Sequence, residues 1–523
     1  MPGHDDFMGM WDCMTLETPA VAFVGIDKRF GAVHANRDIS LTLAKGSIHG
    51  LIGENGAGKS TLANILYGYL SPDRGEIRID GQPRRFSNPS EAIAAGIGMV
   101  HQHFMLVETF TVLENLILGD GSRSLREAKA SALATLARLA KDHDLGVDPE
   151  AVVATLPVGL RQRVEIIKAL HRGAQILILD EPTAVLTPAE AEGLFTLLRA
   201  LKAEGRTVLL VTHKLKEIMA ITDHVTVLRQ GAVVGTVETR SSSPAELAEL
   251  MIGRKPSPPR RELSAPGGAV LEVRNLRVTG GDGRTLLRDA SLSVHAGEIV
   301  GIAGVAGNGQ SELLGALAGL LRPGGGKVAL LGQDITRLDG RERRGLGIGH
   351  IPEDRLRDGM IADMSATETG LLGRQHEPRF NRPLLLRRGF VLETVTGWMR
   401  DYDIRPPDPG RASASFSGGN QQKLVCAREM ERKPALLLVG QPTRGVDIGA
   451  IEFIHDRLLR LRDAGAAILL VSVELDEIRA LSDRILVMAG GSIVGELSPQ
   501  EASDRTLGLL MAGMEAKPGT EAA

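Results

Sequence analysis

Short apolar runs of strand length punctuate this chain: Ile176 to Leu179, Thr207 to Val211, Leu436 to Val439 and Ala466 to Val471. Runs of this length bounded by turn residues are the pattern of strands buried on both faces, and they fall far short of the ~20 apolar residues that a membrane-spanning helix needs. Two further runs, Ser47 to Ile52 and Glu298 to Ala303, lead into glycine-rich loops and then into helical stretches. Strands alternating with helices predict a three-layer α/β core, once in each half of the chain. The stretches Val112 to Arg172 and Met364 to Arg432 are helix-rich and predict an additional helical subdomain in each half.

The glycine-rich loops carry chemistry. The first reads Gly53-Glu54-Asn55-Gly56-Ala57-Gly58-Lys59-Ser60-Thr61, and the second Gly304-Val305-Ala306-Gly307-Asn308-Gly309-Gln310-Ser311-Glu312. Such a P-loop wraps backbone N–H groups around phosphates, its lysine reaches the β/γ oxygens, and its serine hydroxyl binds Mg²⁺. The second loop has the neutral Gln310 where the first has Lys59, so the chain holds one equipped cradle and one impaired copy. Aligning the halves by these loops gives an offset of 310 − 59 = 251, which also maps Gly98 to Gly349 and Gln102 to Glu353. Farther on, Gly159 pairs with Gly419, Asp180 with Gly440 and His213 with Val473, each at an offset of 260. The second half has therefore gained 260 − 251 = 9 residues between Glu353 and Gly419. A constant register with one insertion is the mark of a duplicated domain.

Length and composition fit that reading and narrow the function. A chain of 523 residues is too long for one core. The expected organisation is a tail at 1–20, a first domain at 21–253, a linker at 254–268 holding Pro256, Pro258, Pro259 and Pro266, a second domain at 269–513, and a tail at 514–523. A net charge of −3 gives no footprint for a polyanion, so nucleic acid is not an expected partner. Two cysteines, Cys13 and Cys426, cannot build a disulfide framework and fit a reduced compartment. The stretch Met1 to Thr18 is acidic and lacks the basic start and apolar run of a signal peptide. Direct membrane insertion is not expected, and any membrane role comes through partners.

Beyond the first loop, Asp180 and Glu181 end a buried strand. Asp180 is placed to hold Mg²⁺ and Glu181 to polarise an attacking water, the division of labour that phosphoryl transfer needs. His213 follows the strand Thr207 to Val211, where it would stand near the γ-phosphate, and Gln102 follows another apolar stretch, where it could touch the metal or water. His101 and His103 flank Gln102, but no third ligand completes a metal site around them.

Together these motifs resemble the ATP-binding subunits of ABC transporters, over about Val21 to Gly513. The resemblance implies two tandem nucleotide-binding domains, each with a RecA-like α/β core, an antiparallel β subdomain and a helical subdomain. It implies ATP bound by the loop Gly53 to Thr61, an adenine stacked on Phe30, and Mg²⁺ held by Ser60, Gln102 and Asp180. Glu181, His213 and Lys59 would then be catalytic.

Domains of this family pair head to tail, each ATP being covered by the partner's signature motif. In the second half the signature reads Phe416-Ser417-Gly418-Gly419-Asn420-Gln421; in the first, Leu156-Pro157-Val158-Gly159-Leu160. By this resemblance one composite site takes the first half's complete set plus Ser417, Gly418, Gly419 and Asn420. The other would take Gln310, Ser311, Glu353, Gly440, Gln441 and Val473 with Leu156 to Leu160, and has lost lysine, aspartate, glutamate, histidine and signature serine. Losses that segregate by composite site are themselves evidence for the pairing.

Two fused halves without a membrane span resemble the importers of simple sugars and nucleosides. Ile351-Pro352-Glu353-Asp354-Arg355 and the segment Gln441 to Ala450 carry that likeness. Gly440-Gln441 and the run His101 to Val107 resemble the nucleoside branch more than the ribose- or galactose-type sugar branch. The partners implied are two integral-membrane permease subunits and a periplasmic or lipid-anchored solute-binding protein, with the chain at the cytoplasmic face of the membrane. The competing class is the soluble tandem ATPase of translation or repair, against which Gln441 and the short linker argue.

Overall fold

The computed structural model describes residues 18–31, 33–101, 104–119, 124–143, 145–183, 186, 188–255, 266–281, 283–305, 307–382, 385–511 and 513. The chain divides into two compact units, Met1–Pro256 and Ser257–Ala523. Most of the proline-rich segment 254–268 lies outside the described residues.

In the first unit a six-stranded sheet runs in the order Ala232–Glu238, His224–Arg229, Ile48–Gly53, Thr207–Val211, Ile176–Asp180, Ile97–Val100. Every pairing is parallel except that of the first two strands. Four of these strands are buried at every position, as the unbroken apolar runs require of a sheet covered on both faces. The strand Thr207–Val211 lies between the strand entering the P-loop and the strand ending on Asp180. Their three C-terminal ends therefore open onto one crevice, the place where open α/β sheets bind ligands. A separate antiparallel sheet, ordered Val33–Leu43, Val21–Phe30, Arg74–Ile79, Gln82–Arg84, shares its core with the helix Lys59–Leu66.

The second unit repeats both sheets in the same order. Its large sheet runs Ser492–Leu497, Arg484–Ala489, Ile299–Ala303, Ala467–Val471, Leu436–Gly440, Ile348–Ile351. The loop-entering strands begin one residue later than their apolar runs suggest. Ser47 Oγ donates to Ala44 O at 2.7 Å, and Glu298 accepts from His295 N at 2.8 Å, so each closes the preceding turn instead.

The structure also divides the insertion. Thr111 bridges Val152 in the first unit and Ser365 bridges Ala412 in the second. The offsets are 365 − 111 = 254 and 412 − 152 = 260. Three of the nine extra residues thus fall before Ser365, around the wide turn Arg355–Gly359, and six fall between the bridges. The second helical region is accordingly interrupted by the small hairpin Asn381–Arg382 with Leu385–Leu386.

A buried ion cluster distinguishes the second unit. Fully buried Glu429 accepts from Arg428 Nε at 2.8 Å, Arg344 Nη2 at 3.0 Å and His350 N at 3.2 Å. Burial pushes its carboxyl up, but Arg428 and Arg344 outweigh that and hold it below the usual carboxylate range. Its stabilisation is therefore complete above that range and is lost as pH falls through the depressed value. Glu429→Ala leaves the buried Arg428 and the half-buried Arg344 without their counter-charge and should destabilise the second unit by about 3–5 kcal/mol, read from the urea midpoint. The first unit has Ala169 at the equivalent position.

Candidate functional site

The helix Lys59–Leu66 begins on Gly58, whose φ is 98°. A Cβ at Gly58 would stand 2.2 Å from Ala35 O, so only glycine allows the loop to lie against the strand Val33–Leu43. Lys59 is buried, and its ammonium donates to Gly53 O at 2.8 Å and Glu54 O at 3.0 Å. Its charge is thereby held against the loop by two of the loop's own carbonyls.

Across the crevice, Ser60 Oγ donates to Asp180 Oδ1 at 3.4 Å, although 120 residues separate them. A hydroxyl and a carboxylate are the hard oxygen donors that Mg²⁺ prefers, and their proximity fits that ion. Burial lifts the Asp180 carboxyl above its ordinary range, helped by the charge of Glu181 and opposed by Ser60 and Lys59.

Glu181 sits in the left-handed region at φ 48°, its N–H donating to Val211 O at 2.8 Å. This turn carries the carboxylate off the strand axis to His213, whose Nδ1 donates to Oε1 at 2.9 Å. Burial pushes the Glu181 carboxyl up, yet the bond from His213 and the charges of His213, Lys59 and Lys214 bring it below its usual range. An ionised, oriented carboxylate beside a buried ammonium can polarise water against a bound phosphate.

Of the residues expected to act, Lys59, Ser60, Asp180, Glu181 and His213 thus converge in the first unit. Phe30 ends the strand Val21–Phe30 with 47% of its surface exposed, and the Lys28 ammonium lies 5.7 Å from its ring centre. An exposed ring on that strand is available for stacking. Gln102 and His103 lie outside the described residues; His101 packs edge-on against Tyr67 and Tyr69.

Ser417 begins the helix Gly418–Met430 in the second unit with φ −61° and ψ 156°. Pro157 begins the equivalent helix Val158–His171 with φ −53° and ψ 153°. Proline preserves the helix start and removes the hydroxyl, so the change is chemical and the backbone is kept.

The sequence reading missed Glu217. Thr183, two residues past Glu181, donates through Oγ1 to its Oε1, and Thr212, beside His213, donates to its Oε2 at 3.3 Å. Burial raises the Glu217 carboxyl despite these bonds. Glu217 therefore ties together the two turns that hold Glu181 and His213. The only signal for it was an acid four residues after His213, on the inward face of the helix Leu215–Ile221.

The second unit keeps the frame and alters the groups. Gln310 is buried and donates to Val305 O at 3.1 Å. Gln441 repeats the Glu181 backbone with φ 46° and a 2.8 Å bond from its N–H to Val471 O. Its side-chain oxygen accepts from Val473 N at 3.1 Å. No titratable group remains at that turn among these residues.

A duplicated α/β fold with one complete P-loop, serine–aspartate pair and carboxylate–histidine pair defines a tandem P-loop ATPase. The chain belongs to the ABC transporter family, whose model matches residues 36–184 and 287–444. It is 45% identical to the nucleoside import ATP-binding protein NupA of Lactococcus lactis subsp. cremoris, over 94% of this chain and 98% of that protein. It is 46% identical to the guanosine import ATP-binding protein NupO of Bacillus subtilis, over 96% of this chain and 99% of that one. It is also 41% identical to the ribose import ATP-binding protein RbsA 1 of Rubrobacter xylanophilus, over 96% of this chain and 100% of that protein. Among the described residues, no helix is long and apolar enough to cross a membrane.

Proposed function

We propose that this chain is the ATP-hydrolysing subunit of an importer of nucleosides, with a single competent ATP site built on the first unit. The observation that carries the reading is identity of 45% and 46%, over nearly the whole chain, to two import proteins named for nucleoside and guanosine. Gly440-Gln441 in place of the acidic pair supports the same branch.

In this reading the loop Gly53 to Thr61 binds the ATP phosphates, Phe30 stacks on adenine, and Ser60, Asp180 and Gln102 hold Mg²⁺. Held there, Mg²⁺ would supply positive charge against the phosphate oxygens during phosphoryl transfer. Lys59 offsets charge on the same oxygens, Glu181 accepts a hydrogen bond from the attacking water, and His213 orients Glu181. By the family resemblance, Ser417, Gly418, Gly419 and Asn420 complete that site as a lid. ATP binding and hydrolysis then alternate closed and open states that two permease subunits follow at the cytoplasmic face of the membrane. A periplasmic or lipid-anchored binding protein delivers the cargo.

Reconstitution with its permease and solute-binding partners, in ATP-loaded liposomes, tests the reading. Uptake of labelled guanosine or adenosine with no uptake of ribose is expected. Uptake of ribose or glucose alone would move the chain to the sugar branch. Failure of every cargo, with ATPase stimulated by ribosomes instead, would place it in the soluble class.

A further inference from the structure

Glu217 is held by more than the two threonines. Lys214 N donates to Thr212 Oγ1 at 3.0 Å, and that hydroxyl sends its own hydrogen on to Glu217 Oε2, 3.3 Å away. The Thr183 hydroxyl donates to the other carboxyl oxygen. Lys214 closes the group, its ammonium donating to Thr183 O at 3.4 Å and lying 3.6 Å from Glu217 Oε1. Thr183, Thr212 and Glu217 are all buried.

The second unit has equivalent residues at the offset of 260 and bonds them differently. Thr443, Ser472 and Glu477 stand for Thr183, Thr212 and Glu217, and Glu474 N still donates to Ser472 Oγ at 3.0 Å. Yet His455 Nε2 lies 2.9 Å from Glu477 Oε1, and Glu477 Oε2 is buried with no partner among the described residues. The acid has been drawn off both turns, toward the helix Ile448–Asp463. In the first unit Phe195 takes the place of His455; it is buried and offers no nitrogen. Lys214 is replaced by Glu474, which cannot donate to a carbonyl. The tie is therefore made where Glu181 and His213 face each other, and undone where Gln441 and Val473 stand.

We propose that Glu217 is a positioning residue for ATP hydrolysis in the first unit, holding Glu181 and His213 at bonding distance. Phe195 preserves that role by denying the acid the alternative partner it has in the second unit. This rests on the reading in which Glu181 acts on the attacking water and His213 orients Glu181. The two residues stand on turns that follow separate strands, so their 2.9 Å bond needs those turns kept in register. A carboxylate that accepts from both turns fixes their separation through short side chains. Away from water an unpaired hydroxyl has nothing else to bind, which makes the arrangement exacting. Misplacing a reacting group by about 1 Å can cost ~10² in rate.

Steady-state ATPase of the assembled transporter, with thermal melting of each variant, is the test. Glu217→Leu fills similar space without acceptors and should lower kcat by at least about tenfold, with KM for ATP within about twofold. Glu217→Gln can still accept from Thr183 and donate to Thr212, and should keep at least about a third of the rate. Phe195→His offers the first unit the imidazole of the second and should lower kcat toward the Glu217→Leu value. Phe195→Leu, which changes packing alone, should not. In Glu217→Leu/His213→Ala the losses should not multiply, since both act through Glu181.

Normal kcat in Glu217→Leu or in Phe195→His overturns the proposal. A Glu217→Gln variant as slow as Glu217→Leu, or losses that multiply in the double variant, overturns it too, since Glu217 would then act elsewhere than through this tie. Should Glu217→Leu fail to fold, Phe195→His carries the same test with the acid in place. Full activity in His213→Ala would instead defeat the wider reading of the Glu181–His213 pair.

Discussion

Glu181→Gln should lower steady-state ATP turnover by at least about 10²–10³-fold, the usual effect of removing one group that acts on the developing charge. ATP binding should be nearly unchanged. The variant keeps an oxygen for the His213 N–H, which now lies 2.9 Å from Glu181 Oε1, and it keeps the shape of the turn. Within this chain the substitution has already occurred once. Gln441 holds the equivalent position at φ 46° with the same 2.8 Å backbone bond, so glutamine at this turn leaves the fold undisturbed. What is lost is negative charge and basicity. At Glu181 both are secured because His213, Lys59 and Lys214 keep the carboxyl ionised against its burial. ATPase assay of the assembled transporter, beside retention of labelled ATP, measures the two effects separately. A normal rate would reject Glu181 as the catalytic carboxylate.

The second large effect lies at the signature. Ser417→Arg is expected to reduce ATPase by at least about 10²-fold, whereas Pro157→Ser should change it little. Both residues are exposed at helix starts, so neither substitution disturbs a core. Ser417 also makes no capping bond to its own helix; its hydroxyl accepts instead from Asn420 Nδ2 at 2.8 Å. A serine at an N-cap that does not cap is available to a ligand, and an arginine there costs little in folding. Activity measured alongside thermal melting distinguishes loss of chemistry from loss of structure. If Pro157→Ser had the larger effect, the assignment of Ser417 to the competent site would be wrong.

Much of the architecture follows from local pattern. The apolar runs became sheet strands at the expected places because a strand buried on both faces tolerates almost nothing else. The shifts at Ser47 and Glu298 are of one residue, and they arise because polar side chains there close turns. The hairpin at Asn381–Arg382 was not expected, since a two-residue strand pair leaves no periodicity to read. Asp180 and Glu181 were recognisable from adjacency at a strand end, and His213 from its distance behind the next strand. Glu217 was not, because its role depends on two threonines that only folding brings to it.

The order of residues alone thus settles the duplication, the P-loop chemistry and the imbalance between the halves, since each is written in contiguous segments whose spacing constrains them. Folding settles which side chains meet across strands. Ser311 and Glu353 are 42 residues apart, and their 2.5 Å contact exists only because parallel pairing sets the two strand ends side by side and Gly440 leaves the gap unfilled. The cluster around Glu429 is of the same kind, with Arg344 85 residues away. Side-chain reach is a few ångströms, so such partners are chosen by sheet order and not by distance along the chain.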